Sequence, residues 1–165
     1  MPTSTSKTLS PAELAKLEHA FASEPASEAY KSLAEAYLAM ERYMEAMVVC
    51  KKGVKAHPSV PDPRLLLAKV YAQQGKDKKA LEELSQALQI APQDKNVLRM
   101  LGALQMKTGE VEPGKATLLK ALQVDPSDPE TLEVFQQWKV PVPAAAAPAP
   151  AAPVPAAPVA APPVL

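Results

Sequence analysis

The side chains of this chain that could do chemistry are few, and they are scattered. The 165 residues hold two histidines and one cysteine. His19 and His57 fall near the ends of two different helical patterns, where an imidazole can serve terminal carbonyls. Neither has a second ligand at metal-binding spacing, so no metal is expected. A lone Cys50 excludes an intrachain disulfide, and its place in an apolar helical pattern predicts a small core residue, not a nucleophile. Glu82 and Glu83 are adjacent on a helix and therefore splay apart, unable to converge on one reacting atom. Gly75 and Gly109 are isolated and build no phosphate-cradling loop. No enzyme and no cofactor is expected, which leaves binding by surface.

Charge narrows the class of partner. Lys plus Arg number 18, as do Asp plus Glu, for a formal net charge of zero. Nothing there attracts a nucleic acid. The lysine groups Lys51, Lys52, Lys55 and Lys76, Lys78, Lys79 read as a solvated helix face. The opening MPTSTSKTLS lacks the basic start and apolar run of a secretory signal, and no stretch is long and apolar enough to insert in a membrane as a helix, so a cytoplasmic location is expected.

The elements that carry these residues repeat. Leu33, Leu67 and Leu101 stand 34 residues apart, followed by the small residues Ala34, Ala68 and Gly102. The same step relates Ala46, Ala80 and Gly114, then Gly53, Ala87 and Ala121, and prolines close each unit at Pro58, Pro92 and Pro126. Bulky and small residues in fixed phase over such a period predict an all-α array in which neighbouring units bury each other's apolar faces.

Tyr30, Leu33, Ala34, Tyr37, Ala46, Cys50, Gly53 and Pro58 mark the first unit. Leu67, Ala68, Tyr71, Gly75, Ala80, Leu84, Ala87 and Pro92 mark the second, and Leu98, Leu101, Gly102, Gly109, Gly114, Leu118, Ala121 and Pro126 the third. This pattern resembles the tetratricopeptide repeat over about residues 27 to 128. The resemblance implies a right-handed superhelical solenoid of three antiparallel helix pairs, with repeats at about 27–60, 61–94 and 95–128. Helices are expected at 27–40 with 43–56, 61–74 with 77–90, and 95–108 with 111–124.

Three positions depart from the pattern: Arg64 stands where the family prefers an aromatic, Gln105 replaces the tyrosine of Tyr37 and Tyr71, and Glu41 takes the turn position of Gly75 and Gly109. Pro113 followed by Gly114 predicts a helix that begins late or frays.

Flanking helices close the array. Ser10 reads as an N-cap and Pro11 as a first helical residue, with Glu13 in the first turn. The stripe Leu14, Leu17, Ala20 and Phe21 then forms an amino-terminal half-repeat. A capping helix at 129–138 continues the phase through Leu132 and Phe135; Trp138, at helical spacing from Thr131, Val134 and Phe135, is expected to seal the core, with a docking face as the alternative. The domain thus spans 10–139. Residues 1–9 and the Ala/Pro-rich stretch 140–165 are expected to be disordered, the latter as a linker or tail.

The resemblance also implies a concave groove lined by the first helix of each pair. Carried over, it names Lys31, Glu35 and Leu38, then Leu65, Lys69 and Gln73, then Arg99, Met106 and Lys107. Leu38, Leu65 and Met106 would be apolar anchors among Lys31, Lys69, Arg99 and Lys107, suiting a protein or peptide with acidic and apolar residues. Glu28, Asp62 and Asn96 lie at the mouths of these helices as charge or caps. A chaperone carboxylate clamp does not fit: Lys31 matches, but Glu35 and Leu66 replace its asparagines, Asn96 its next lysine and Met100 its arginine. The expected function is a protein-interaction adaptor. Two alternatives stand beside it: an array that forms homo-oligomers through Val134 and Trp138, and the recruitment module of a longer protein cut in its proline-rich linker.

Overall fold

A computed structural model of the protein describes residues 10–24 and 27–141, so the expectations for residues 1–9 and for most of the tail lie outside the described residues. Among the described residues eight helices follow in order: α1 (Pro11–Ser23), α2 (Ala29–Ala39), α3 (Tyr43–Ala56), α4 (Asp62–Gln73), α5 (Asp77–Ile90), α6 (Lys95–Lys107), α7 (Val111–Val124) and α8 (Pro129–Gln137). Among the described residues there is no strand. Consecutive helices pack on one another, giving an all-α solenoid in which α2, α4, α6 and α8 form one layer and α1, α3, α5 and α7 the other.

Local chemistry sets the ends. Ser10 caps α1 through a capping box: its hydroxyl accepts from the Glu13 N–H at 3.3 Å, and the Glu13 carboxylate accepts from the Ser10 N–H at 2.8 Å. Asp94 caps α6 by accepting from the Asn96 and Val97 N–H groups, and Asp128 caps α8 by accepting from the Thr131 N–H, without the reciprocal bond. Neither Glu28 nor Asp62 makes a side-chain cap: Asp62 instead pairs with Lys31 at 2.5 Å, and Asn96 accepts from Arg99 at 3.1 Å.

Helices α2, α4 and α6 end on a left-handed residue, at Glu41 (φ 58°), Gly75 (φ 71°) and Gly109 (φ 91°). The next N–H reaches back to a carbonyl inside the helix: Arg42 to Tyr37 at 2.8 Å, Lys76 to Tyr71 at 2.9 Å, Glu110 to Gln105 at 2.8 Å. Glycine adopts this geometry freely, and glutamate does so against its Cβ.

Leucines and small residues fill the interior. Leu33, Ala34, Ala46, Cys50, Leu67, Ala68, Ala80 and Leu84 are all buried in one continuous cluster. The third pair departs from expectation. α7 begins at Val111, on the same phase as Tyr43 and Asp77, and Pro113 sits in its first turn, where no intrahelical donor is lost. Gly114 is not a weakness but a contact. A Cβ added at Gly102 would lie 2.6 Å from Leu118 Cγ and 3.0 Å from the Gly114 carbonyl oxygen, and one added at Gly114 would lie 2.8 Å from Met106 Cγ. Two glycines at positions that hold alanine elsewhere thus bring α6 and α7 into close backbone contact.

The last helix stops early. Lys139 (φ 51°) takes the left-handed position four residues before the repeat phase would place it, and the Val140 N–H closes on the Phe135 carbonyl at 3.0 Å. Val140 packs with Phe135, Met106, Leu118 and Leu122, so these residues seal the core. Trp138 does not: as the C-cap of a shortened helix it remains 39% exposed.

Two substitutions should therefore run against helix propensity and repeat consensus in opposite ways. Glu41→Gly should raise the unfolding free energy by about 1 kcal/mol by removing left-handed strain. Gly102→Ala, although alanine is the residue at Ala34 and Ala68, should lower it by about 1–3 kcal/mol through overpacking against α7. Denaturant unfolding of each variant checks both signs.

Candidate partner-binding groove

Two adjoining clefts run along the face formed by α2, α4, α6 and α8. The first, about 370 Å³, is lined by Leu38, Ala39, Glu41, Tyr43, Lys69 and Gln73. The second is about 600 Å³ and gathers Leu65, Lys69, Gln73, Asn96, Arg99, Met100, Ala103, Glu130, Glu133 and Val134. They share Lys69 and Gln73 on α4, so the two form one groove.

Of the residues expected to line it, Leu38, Leu65, Lys69, Gln73 and Arg99 do. Lys31, Glu35 and Lys107 lie on the same helices but line neither cleft. Met106 corrects the expectation outright: it is 3% exposed, packed on Gly114 and in the cluster with Leu118, Leu122 and Phe135, because the missing Cβ on α7 opens a hole that the thioether fills. The apolar centre of the groove is instead Leu65, Met100, Ala103 and Val134. Val134, read from sequence as part of a separate docking face, belongs to this same cleft, while Trp138 does not line it.

Ion pairs across neighbouring repeats neutralise most of the expected groove charge. Lys31 is held by Asp62 at 2.5 Å and Lys107 by Asp77 at 2.9 Å. Arg99 reaches Asp128 at 3.1 Å and Glu130 at 2.6 Å. Lys69 is exposed and, among the described residues, has no ion-pair partner. At the α8 edge Glu133 is exposed as well.

Asp128 anchors this end. Its carboxylate accepts from the Thr131 N–H at 3.0 Å, the Thr131 hydroxyl at 2.5 Å and Arg99 at 3.1 Å, with Lys95 at 3.3 Å. Burial acts to raise its pKa, but the hydrogen bonds from Thr131, Arg99 and Lys95 outweigh it and hold the group down to about 2. Thr131 holds the buried Asp128 carboxylate within the first turn of α8, and the contacts of that carboxylate with Arg99 and Lys95 fix α8 against α6 and so set the wall that carries Val134 and Glu133.

Other polar sites are structural. The Tyr37 hydroxyl donates to Glu18 at 2.6 Å, tying α1 to α2, and burial together with that carboxylate pushes its pKa up to about 12. Gln105, in the place of Tyr37 and Tyr71, accepts from the Thr117 hydroxyl at 2.9 Å and so bridges α6 to α7. Arg64 pairs with Glu83 at 3.1 Å. Cys50 is fully buried, which pushes its thiol up to about 12 and leaves no thiolate near neutral pH. The His57 ring lies 5.5 Å from the Tyr30 ring, tilted by 37°. Among the described residues no group of three or more His, Cys, Asp or Glu could hold a metal ion, and no helix is long and apolar enough to cross a membrane.

The family model of the tetratricopeptide repeat matches residues 37–87 and 78–132, which together cover more than half of the chain. The chain belongs to the tetratricopeptide repeat family. A comparison with curated proteins finds no match. Among solved structures it is similar to a thermophilic tetratricopeptide repeat protein of Thermus thermophilus, at 25% identity over 78% of this chain and 71% of that one, with a TM-score of 0.68. It is also similar to PilF of Pseudomonas aeruginosa, at 28% identity over 71% of this chain and 55% of that one, TM-score 0.63. A MamA structure shares the fold at 22% identity over 69% of this chain, TM-score 0.58; the chain spans 66% of its length. Tetratricopeptide arrays are protein-interaction modules, and the groove described above is formed by the first helices of the repeats.

The folded Asp128 carboxyl sits below its unfolded value near 3.9, so its contribution is present above that value and is lost as pH falls from about 4 through about 2. Asp128→Asn, which keeps an N-cap acceptor, should cost about 2 kcal/mol at pH 7 and nothing below about pH 2. Denaturant unfolding across pH tests this; a difference independent of pH would mean that the charge is not the stabilising feature.

Proposed function

We propose that this tetratricopeptide array works as an adaptor that docks one protein segment in the groove of α2, α4, α6 and α8. The observation that carries the reading is the union of an apolar centre, Leu65, Met100 and Val134, with Lys69, a cation left unpaired among the described residues, in one continuous cleft. A segment with one or two apolar side chains would fill that centre. A carboxylate beside them would meet Lys69, and a basic residue at the other end would meet Glu133. This is a narrower match than a generally acidic ligand, because Lys31, Arg99 and Lys107 already have carboxylate partners.

Selection of binders from a random peptide display library on the full chain, followed by binding kinetics with the variants, tests it. Leu65→Asp should weaken binding by at least about tenfold, chiefly through faster dissociation. Lys69→Glu should slow association a few-fold and flatten its salt dependence, since an exposed charge acts mainly by steering. Lys79→Glu on α5 should change little. Peptides that bind Leu65→Asp and Lys69→Glu as tightly as wild type would place the partner site elsewhere.

A further inference from the structure

The layer opposite the groove carries a patch that the repeat pattern does not account for. On α3, Met44 is 61% exposed and Val48 51% exposed. One and two periods on, the place of Met44 is held by Lys78 and Glu112 and that of Val48 by Glu82 and Ala116, so this is a solvent-facing position elsewhere in the array. With Phe21, Tyr37 and Val49, these two side chains line an apolar cleft of about 380 Å³ between α1, α2 and α3, rimmed by Glu45 and Lys52. Two adjacent large apolar side chains left in water where the equivalent positions are mostly charged mark a docking surface.

The charges around the patch say what covers it. Met44, Glu45, Val48, Lys51, Lys52 and Lys55 recur at spacings of three and four and share one face of α3. Near its start that face carries one carboxylate, Glu45, beside its Arg42 partner; Met44 and Val48 form its apolar part, and three lysines lie toward its end. A ligand complementary to it must carry the same order reversed, and a second copy of α3 laid antiparallel has that order by symmetry. With the twofold axis at Val48, Val48 meets Val48 of the second copy, Met44 lies on the aliphatic stem of the second copy's Lys51, and Glu45 faces the second copy's Lys52.

We propose that the chain forms an antiparallel homodimer through α3, with Val48 on the dyad. The local contacts that Glu45 and Lys52 make now are weak ones in solvent. Glu45 accepts from Arg42 at 2.9 Å with both side chains 43% exposed, and Lys52 sits 5.6 Å over the Phe21 ring. Both can be exchanged for contacts across the dyad. Two crossing helices bury less than a standard interface, so association is concentration-dependent and not obligate. The concave groove lies on other helices and stays open in the dimer, so this proposal stands or falls apart from the peptide-docking one.

Sedimentation equilibrium of the full chain over a wide concentration range is the first measurement. The expected mass rises toward twice the monomer mass; a monomer at every concentration overturns the proposal. Charge exchange is the second. Glu45→Lys and Lys52→Glu should each weaken dimerisation by roughly tenfold, and the double variant should recover it, because the two residues then face each other with signs swapped. A dimer indifferent to the single changes, or a double variant no better than the singles, overturns the α3 interface in favour of another, such as the exposed Trp138 end. Third, Val48→Cys should oxidise to a covalent dimer with itself, whereas Glu82→Cys, its equivalent on α5, should not; Cys50 is buried and supplies no competing thiol. Equal cross-linking of the two would also count against the proposal.

Discussion

Each helix pair in this molecule has an apolar face too large to leave in water and no way to bury it alone, so the backbones of neighbouring helices must approach closely enough for leucines to interlock. Small residues at two positions per repeat make that approach possible: Ala34 with Ala46, Ala68 with Ala80, Gly102 with Gly114, all buried. Where the small residue is alanine, the pair has ordinary spacing. Where it is glycine on both sides, a Cβ would meet the opposite carbonyl oxygen at 3.0 Å, and the third pair closes further than the others could. The groove depends on this. Drawing α6 onto α7 takes Met106 into the core and leaves α4 and α6 with little direct contact, and the larger cleft opens between them.

The same arrangement decides how charge is spent across the repeats. Successive first helices lie start beside start, and residues about thirty apart in sequence become ion pairs: Lys31 with Asp62 and Arg99 with Asp128 along that layer, and Lys95 with Asp125 at the end of α7 and Lys107 with Asp77 at the start of α5 between the layers. Exposed pairs of this kind add little to stability individually. Asp128 is the exception, because its carboxylate is buried and saturated by Thr131, Arg99 and Lys95. The wider effect is on the charge of the groove face, which counts as basic in sequence but is close to neutral in space, with Lys69 exposed and without an ion-pair partner among the described residues.

Residues whose environment is set by the period were legible from the chain alone. The starts of α3, α5 and α7 at Tyr43, Asp77 and Val111, the Ser10 N-cap and the buried state of Cys50 follow from phase and local chemistry, which do not depend on distant partners. Misread residues are those whose environment is set by one unusual neighbour. Met106 has the phase of a groove residue, as Leu38 and Ala72 do, and only the hole above Gly114 turns it inward. Gly114 was visible in the sequence, but as a helix-weakening residue; its meaning as a close approach needs Gly102 opposite it. Trp138 was expected to seal the core from the end of a helix at 129–138, but as the C-cap of α8 just before the left-handed Lys139 it stays 39% exposed, and Val140 packs on the core in its stead. Met100, Glu130 and Glu133 entered the groove only once α8 was placed, since no property of their own stretch of chain reveals which face α8 will cover.

A solenoid keeps its two layers chemically independent, because each repeat touches only its neighbours and side chains on opposite faces share no partners. The groove residues Leu65, Lys69 and Val134 and the α3 residues Met44, Val48 and Lys52 are separated by the leucine core, so either set can change without a packing consequence for the other. That independence is why an apolar pair on α3 is informative. In a compact globule, exposed Met44 and Val48 could be the incidental outcome of accommodating some remote contact. Here the position is repeated twice more with lysine, glutamate or alanine at no evident cost to the fold, and the core beneath it, Ala46, Val49 and Cys50, does not require methionine and valine above. The side chains at that place answer to something outside the repeat, and the acid-to-base order of α3 around them is complementary to its own reverse.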